Sequence, residues 1–135
     1  MQKITLLQPD ALVHSPAFSH VAVVPPGAVW VLVGGQNGVD VTGRIVEPGD
    51  PAAQARRALA NVESALHAAG SVLSDVVAFS VTLTEEVDIR AAYGAIAPTL
   101  ATAFDRPPLV SVAVVSSLAV PGALVEVAVT AARLS

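Results

Sequence analysis

One carboxylate, Glu126, stands alone in the apolar run Gly122-Ala123-Leu124-Val125-Glu126-Val127-Ala128-Val129-Thr130. Ionised carboxylates are almost never fully buried without a partner. Two readings follow: a polar cavity inside an otherwise dry sheet, or an edge strand that turns Glu126 to solvent. In the first, Glu126 can position or deprotonate a water molecule. Ser111 lies in a second apolar run, Leu109-Val110-Ser111-Val112, without an identifiable base nearby in sequence. It is therefore read as a hydrogen-bond donor rather than a nucleophile. His20 follows Ser19 at the start of a strand-like stretch and can be a proton shuttle or an outward-facing polar residue. The chain has no cysteine, so disulfides, thiolate catalysis and cysteine metal sites are excluded. His14, His20 and His67 show no metal-ligand spacing.

A chain of 135 residues makes one domain, 1–135. Hydrophobic residues form 53% of it and charged residues only 13%, against about 45–50% and about 25% in ordinary globular domains. So little charge covers the surface of a small monomer poorly, which points to a homo-oligomer. The formal net charge of −4 and the scattered basic residues argue against nucleic acid as a partner. Two long segments, 11–39 and 107–125, lack Asp, Glu, Lys and Arg. Prolines and glycines interrupt both, so neither reads as a membrane helix, and a soluble cytoplasmic protein is expected.

Short strands are predicted at 3–7 and 19–24, and another at 29–33 closed by Gly34-Gly35; the last two fit a hairpin about Pro25-Pro26-Gly27. Asp50 as N-cap and Pro51 at the first helical position open a helix over 51–69, stopped by Gly70. A strand follows at 75–83. Thr84 can cap a second helix whose inward stripe is Ile89, Ala92, Tyr93, Ile96 and Leu100, with a kink or early end at Pro98. Strands at 109–116 and 123–133 read as continuous apolar runs, the pattern of burial on both faces. The order β-β-β-α-β-α-β-β suits an α+β sandwich with both helices on one face of a mixed sheet.

In this order and spacing the chain resembles the reactive intermediate deaminase family, the Rid or YjgF-like "endoribonuclease L-PSP" proteins. The resemblance rests on Ser15-Pro16 with Phe18-Ser19, Gly35-Gln36 and Asp50-Pro51. It continues through Ala58-Leu59-Ala60-Asn61-Val62, Ser74-Asp75-Val76-Val77 and Val81-Thr82-Leu83-Thr84, and ends with Pro121-Gly122-Ala123-Leu124-Val125-Glu126-Val127. It implies a chorismate-mutase-like (ferredoxin-like) α+β fold with a mixed six-stranded sheet, a homotrimer, and small-molecule ligands in clefts between subunits. It also implies hydrolysis of enamines and imines such as 2-aminoacrylate to a keto acid and ammonia, without a cofactor.

In deaminating members an Arg after the second helix clamps the substrate carboxylate. The matching stretch here is Arg106-Pro107-Pro108-Leu109-Val110-Ser111. Counting from Pro107 puts Leu109 in the Arg position, and one residue of slack would put Val110 there. Neither binds a carboxylate. Arg106 is read as a loop residue that could compensate only by reaching back. The family's Tyr is matched by Phe18, the following Gln by His20, and an Asn of the second helix by Tyr93. Gly35-Gln36, Ser111 and Glu126 are retained. The resemblance then implies Glu126 and Ser111 as catalytic residues and Phe18, His20, Val33, Gly35 and Leu109 as the substrate lining, with backbone N–H groups near Gly35 or Ser111 facing developing negative charge. Three readings stand: a hydrolase for imines or enamines lacking a carboxylate, a non-catalytic metabolite-binding or regulatory trimer, and a trimer in which Glu126 is only structural.

Overall fold

Asp50 begins the longest helix, α1 (Pro51–Ala68), in this computed structural model, which describes residues 2–134. The Asp50 carboxylate accepts the N–H of Ala53 at 3.0 Å, and Pro51 occupies the first turn, where its missing N–H is not needed. Gln54, Ala55, Ala58, Leu59, Val62 and Leu66 form the buried stripe. The helix stops where Gly70 takes φ +74°. Gly70 N–H then bonds His67 O, and Ser71 N–H bonds Leu66 O at 2.9 Å, a Schellman end. Asp50→Ala is expected to lower stability by about 1 kcal/mol, read as a drop in urea midpoint with unchanged slope.

The second helix starts later than its residue types suggest. Thr84 does not cap it; Thr84 is buried at the end of a strand and bonds Leu124 O through its backbone N–H. Asp88 is the N-cap, accepting from Arg90 N–H at 3.0 Å, and α2 runs Ile89–Ala103. Pro98 does not end it. The carbonyl that loses its donor belongs to Gly94, which is exposed and open to water. Only Ala92 and Ile96 of α2 are buried, and the helix packs mainly on α1.

The described residues form six strands: β1 (Thr5–Leu7), β2 (Val21–Val23), β3 (Val29–Asn37), β4 (Val76–Thr84), β5 (Leu109–Val115) and β6 (Val125–Arg133). They divide into two sheets. β1 and β2 pair antiparallel with each other, so the expected β2–β3 hairpin does not form. Pro25 and Pro26 offer no N–H to a ladder there, and β3 pairs with β6 instead. The main sheet has the order β3-β6-β4-β5. β6 is antiparallel to both neighbours, and β4 and β5 are parallel, joined through α2 as the crossover.

The helices cover one face of this sheet. Val125, Val127, Val129 and Ala131 of β6 point into the core beneath them, with Val33, Phe79 and Leu83. Glu126, Ala128 and Thr130 alternate onto the other face and are half-buried. Within one chain that second face is uncovered, so the two-sided burial read from the apolar runs is not met by the chain alone. Both edge strands of the sheet carry exposed apolar residues: Trp30 and Leu32 on β3, and Val112 and Val114 on β5.

Candidate functional site

Glu126 sits opposite Asn37 on one side and Thr82 on the other. A bulge between Val33 and Gln36 places Gly34 and Gly35 beside it. Gly35 is the seat of the carboxylate: a Cβ there would lie 2.5 Å from Glu126 Oε1 and 2.6 Å from its Cδ. Glycine is required by close approach, not by backbone angle. The Glu126 carboxylate has no hydrogen-bond or ionic partner among the described residues. Its backbone is held firmly all the same. Buried Asn37 donates through Nδ2 to Val125 O at 3.1 Å, and Asn61 on α1 donates to Asn37 O at 3.0 Å and Val39 O at 2.9 Å. These two asparagines anchor the β3 end next to Glu126. Asn61 was visible in sequence only as a matching position, because its partners lie 22 and 24 residues away.

The remaining candidates separate. Ser111 is exposed on β5 beside Ser80 of β4, and Ser80 pairs with Ala128 of β6. Ser111 and Glu126 therefore lie two strands apart, roughly 10 Å in the pairing direction alone. Val33 packs in the core at 7% exposure and lines no open surface, a correction to its assignment as a binding residue. Its strand parity turns it towards the helices. Leu109 pairs with Ala78 on the uncovered face, whereas Val110 packs towards the core.

Phe18 and His20 belong to the long connection between β1 and β2. Gln8 clasps this loop, donating through Nε2 to Ser15 O and Phe18 O at 2.6 Å each. Ser19 ties it to the start of β5 through Pro107 O at 2.6 Å and Pro108 O at 3.1 Å. His20 Nε2 lies 2.6 Å from Val13 O, so Nε2 carries the proton, and its ring meets Phe18 edge-on with centroids 5.3 Å apart. His20 is thus engaged in holding the loop.

Phe18 meets Tyr93, Val110 and Val112 at an apolar cavity of about 230 Å³ between α2 and β4–β5. Val110, rather than Leu109, is the residue that shares a lining with Phe18 and Tyr93. Leu109 lies on the opposite face of β5 from this cavity, the face it shares with Ser111 and, across β4, with Glu126. No guanidinium lines this cavity. Arg106 donates through Nη1 to Leu6 O at 3.1 Å and borders a separate open depression of about 590 Å³, with Arg133, Asp75 and Asp105. Among the described residues no cluster of three His, Asp or Glu side chains is placed to hold a metal ion. None of the helices among them is long and apolar enough to cross a membrane.

A family model described as endoribonuclease L-PSP matches residues 9–133. None of the curated proteins compared matches the chain. Among solved structures, a Yersinia pestis protein of the conserved Rid family, YyfB, of unknown function, is 25% identical with a TM-score of 0.82; the match covers 98% of this chain and 100% of that one. The Escherichia coli YjgF gene product is 26% identical over 79% of this chain and 86% of its own, with a TM-score of 0.67. Escherichia coli TdcF, solved with bound serine, is 25% identical over 87% of this chain and 94% of its own, with a TM-score of 0.69.

Proposed function

Since the chain belongs to the endoribonuclease L-PSP family, the Rid and YjgF proteins, we propose that it is a homotrimer that hydrolyses an imine or enamine without a carboxylate in clefts between subunits. The observation that carries this reading is the apolar Leu109, which shares the uncovered face of the sheet with Ser111 and Glu126. TdcF was crystallised with serine, which bears a carboxylate; Leu109 offers an acid of that kind no ionic partner. A hydrogen bond to a charged group contributes about 1.5–3 kcal/mol, and about 1.4 kcal/mol is a factor of ten. The family description names a ribonuclease, but a net charge of −4 opposes binding to a polyphosphate chain.

The positions of the two halves of the site support the trimer. Glu126 and Gly35 lie beside β3, at one edge of the sheet; Leu109 and Ser111 lie on the same face of β5, at the other. Contact between opposite edges of successive copies is head-to-tail, which gives a ring where the rotation between copies closes. Each cleft then receives Glu126 from one copy and Leu109 with Ser111 from the next. In the reaction, water adds to the C=N carbon. Glu126 takes one proton from that water and passes it to nitrogen; it then takes the hydroxyl proton of the carbinolamine and gives it to the same nitrogen as the C–N bond breaks, releasing ammonia and leaving a carbonyl. The Ser111 hydroxyl and backbone N–H groups near Gly35 stand as donors to the oxygen as charge develops.

A non-catalytic binding trimer is the second reading, favoured by the lack of any side-chain partner to Glu126 among the described residues. Ammonia release separates the two. Enzymatically generated 2-aminoacrylate should be turned over at least tenfold less efficiently than the imine of an uncharged ketone. Equal efficiency on the acid overturns the carboxylate-free assignment, and no ammonia from any imine leaves the binding reading.

A further inference from the structure

The shape of the cavity under α2 says more than that an acid is unwelcome. Its mouth lies at the β5 edge, where Ile89, Tyr93 and Val112 are each about half exposed, at 52%, 49% and 54%. Its floor is buried: Ala55 on α1, Leu83 on β4, and Val125 and Val127 on β6. Of its lining residues only Tyr93 carries a polar side-chain atom. The space exists because α2 leans on α1 and turns small residues, Ala92 among them, towards the sheet.

We infer that this cavity is a separate binding site for an uncharged apolar molecule, the size of a single aromatic ring with a short substituent. An apolar cavity of about 150 Å³ lined by aliphatic and aromatic side chains stays dry and takes up benzene. The cavity here, about 230 Å³, leaves room beyond the ring for one or two further heavy atoms. Water gains little in it, since buried water needs two to four polar partners and the walls offer one hydroxyl, at the rim. A charged group would lose its hydration without replacement. A ring seated against Val110 and Phe79 would present its substituent at the mouth, beside Tyr93 and the β5 edge. This is the face of β5 opposite to Ser111 and Glu126, so the inference goes beyond the proposed hydrolysis: it concerns binding and does not require turnover.

A matched pair of probes tests it. Benzyl alcohol and benzoate share a ring and differ in charge. Titrated into the full-length protein and followed by calorimetry or by methyl NMR, benzyl alcohol should bind at least tenfold more tightly than benzoate. Ethanol, which lacks the ring, should show no saturable binding in the same range. Two variants fill the space from different sides: Ala92→Leu from the helix and Val112→Phe from the exposed mouth. Each should weaken benzyl alcohol binding fivefold or more, and Val112→Phe alters no buried core residue, so it keeps the test valid if Ala92→Leu fails to fold. Equal affinity for the two probes, no binding of benzyl alcohol, or wild-type binding in a folded filling variant each overturns the inference. The outcomes separate from those of the hydrolysis assay. Benzyl alcohol binding without turnover of any imine keeps the cavity and removes the hydrolase. Turnover of a two- or three-carbon imine without benzyl alcohol binding does the reverse.

Discussion

Gly35→Ala is expected to reduce imine hydrolysis by about 100-fold or more, although it adds one methyl group and removes no charge. The added Cβ would stand 2.5 Å from Glu126 Oε1, 2.6 Å from Cδ and 2.9 Å from Cγ. Three side-chain atoms clash at once, so a small rotation does not relieve the contact, and the carboxylate must leave its place. A displacement of about 1 Å at a reacting group can cost about 100-fold. Glu126→Gln provides the comparison. It keeps the shape and removes the proton acceptor, with an expected loss of about 10²- to 10⁴-fold. Steady-state ammonia release at matched protein concentration measures both. Near-normal activity in Gly35→Ala would show that Glu126 does not work from the place it occupies. Near-normal activity in Glu126→Gln would remove it from the chemistry.

Gly38→Ala is the larger threat to stability. Its Cβ would lie 2.7 Å from Gln54 Cα and 2.8 Å from Gln54 O. These are helix backbone atoms, so α1 itself must retreat from the end of β3. Overpacking of this kind costs about 1–3 kcal/mol. Gln54 is fully buried, and its Oε1 accepts the N–H of Leu124 at 2.9 Å. Losing that bond would leave a buried donor unsatisfied, at a further cost of about 1–3 kcal/mol. The expected outcome is a drop in Tm of about 10 °C, measured at fixed protein concentration because assembly contributes to apparent stability. A shift under about 2 °C would show that the helix accommodates the methyl group without losing the Gln54 bridge.

The contrast between these glycines marks what could be read from the sequence. Helix α1 was legible from end to end because its signals are local: Asp50-Pro51 at one end and Gly70 at the other act on neighbours within a turn or two. The α+β architecture followed from strand and helix order alone. The start of α2 was less legible, because Thr84 and Asp88 both suit an N-cap. The choice was made by the pairing of β4 with the segment before β6, which carries Thr84 into the sheet. The β2–β3 hairpin failed for a similar reason: β-prone residues do not say which strand they will join. Parity was not legible. Leu32 and Val33 are consecutive apolar residues, and nothing in the residue types tells that Val33 is the one that faces the helices. The seating of Glu126 on Gly35 spans 91 positions and depends on a bulge, so only the family resemblance connected the two.

That bulge does a second job. β3 borders the sheet, and beyond it run N–H and C=O groups that no strand of the same molecule satisfies. A straight, greasy margin of this kind invites stray chains to zip on, copy after copy, into insoluble fibres. Trp30 and Leu32, both turned towards water, make the invitation stronger. The irregular step at Gly34-Gly35 bends the margin and cuts the straight stretch short. The glycine pair that leaves room for an acid also makes the molecule a poor template for its own aggregation.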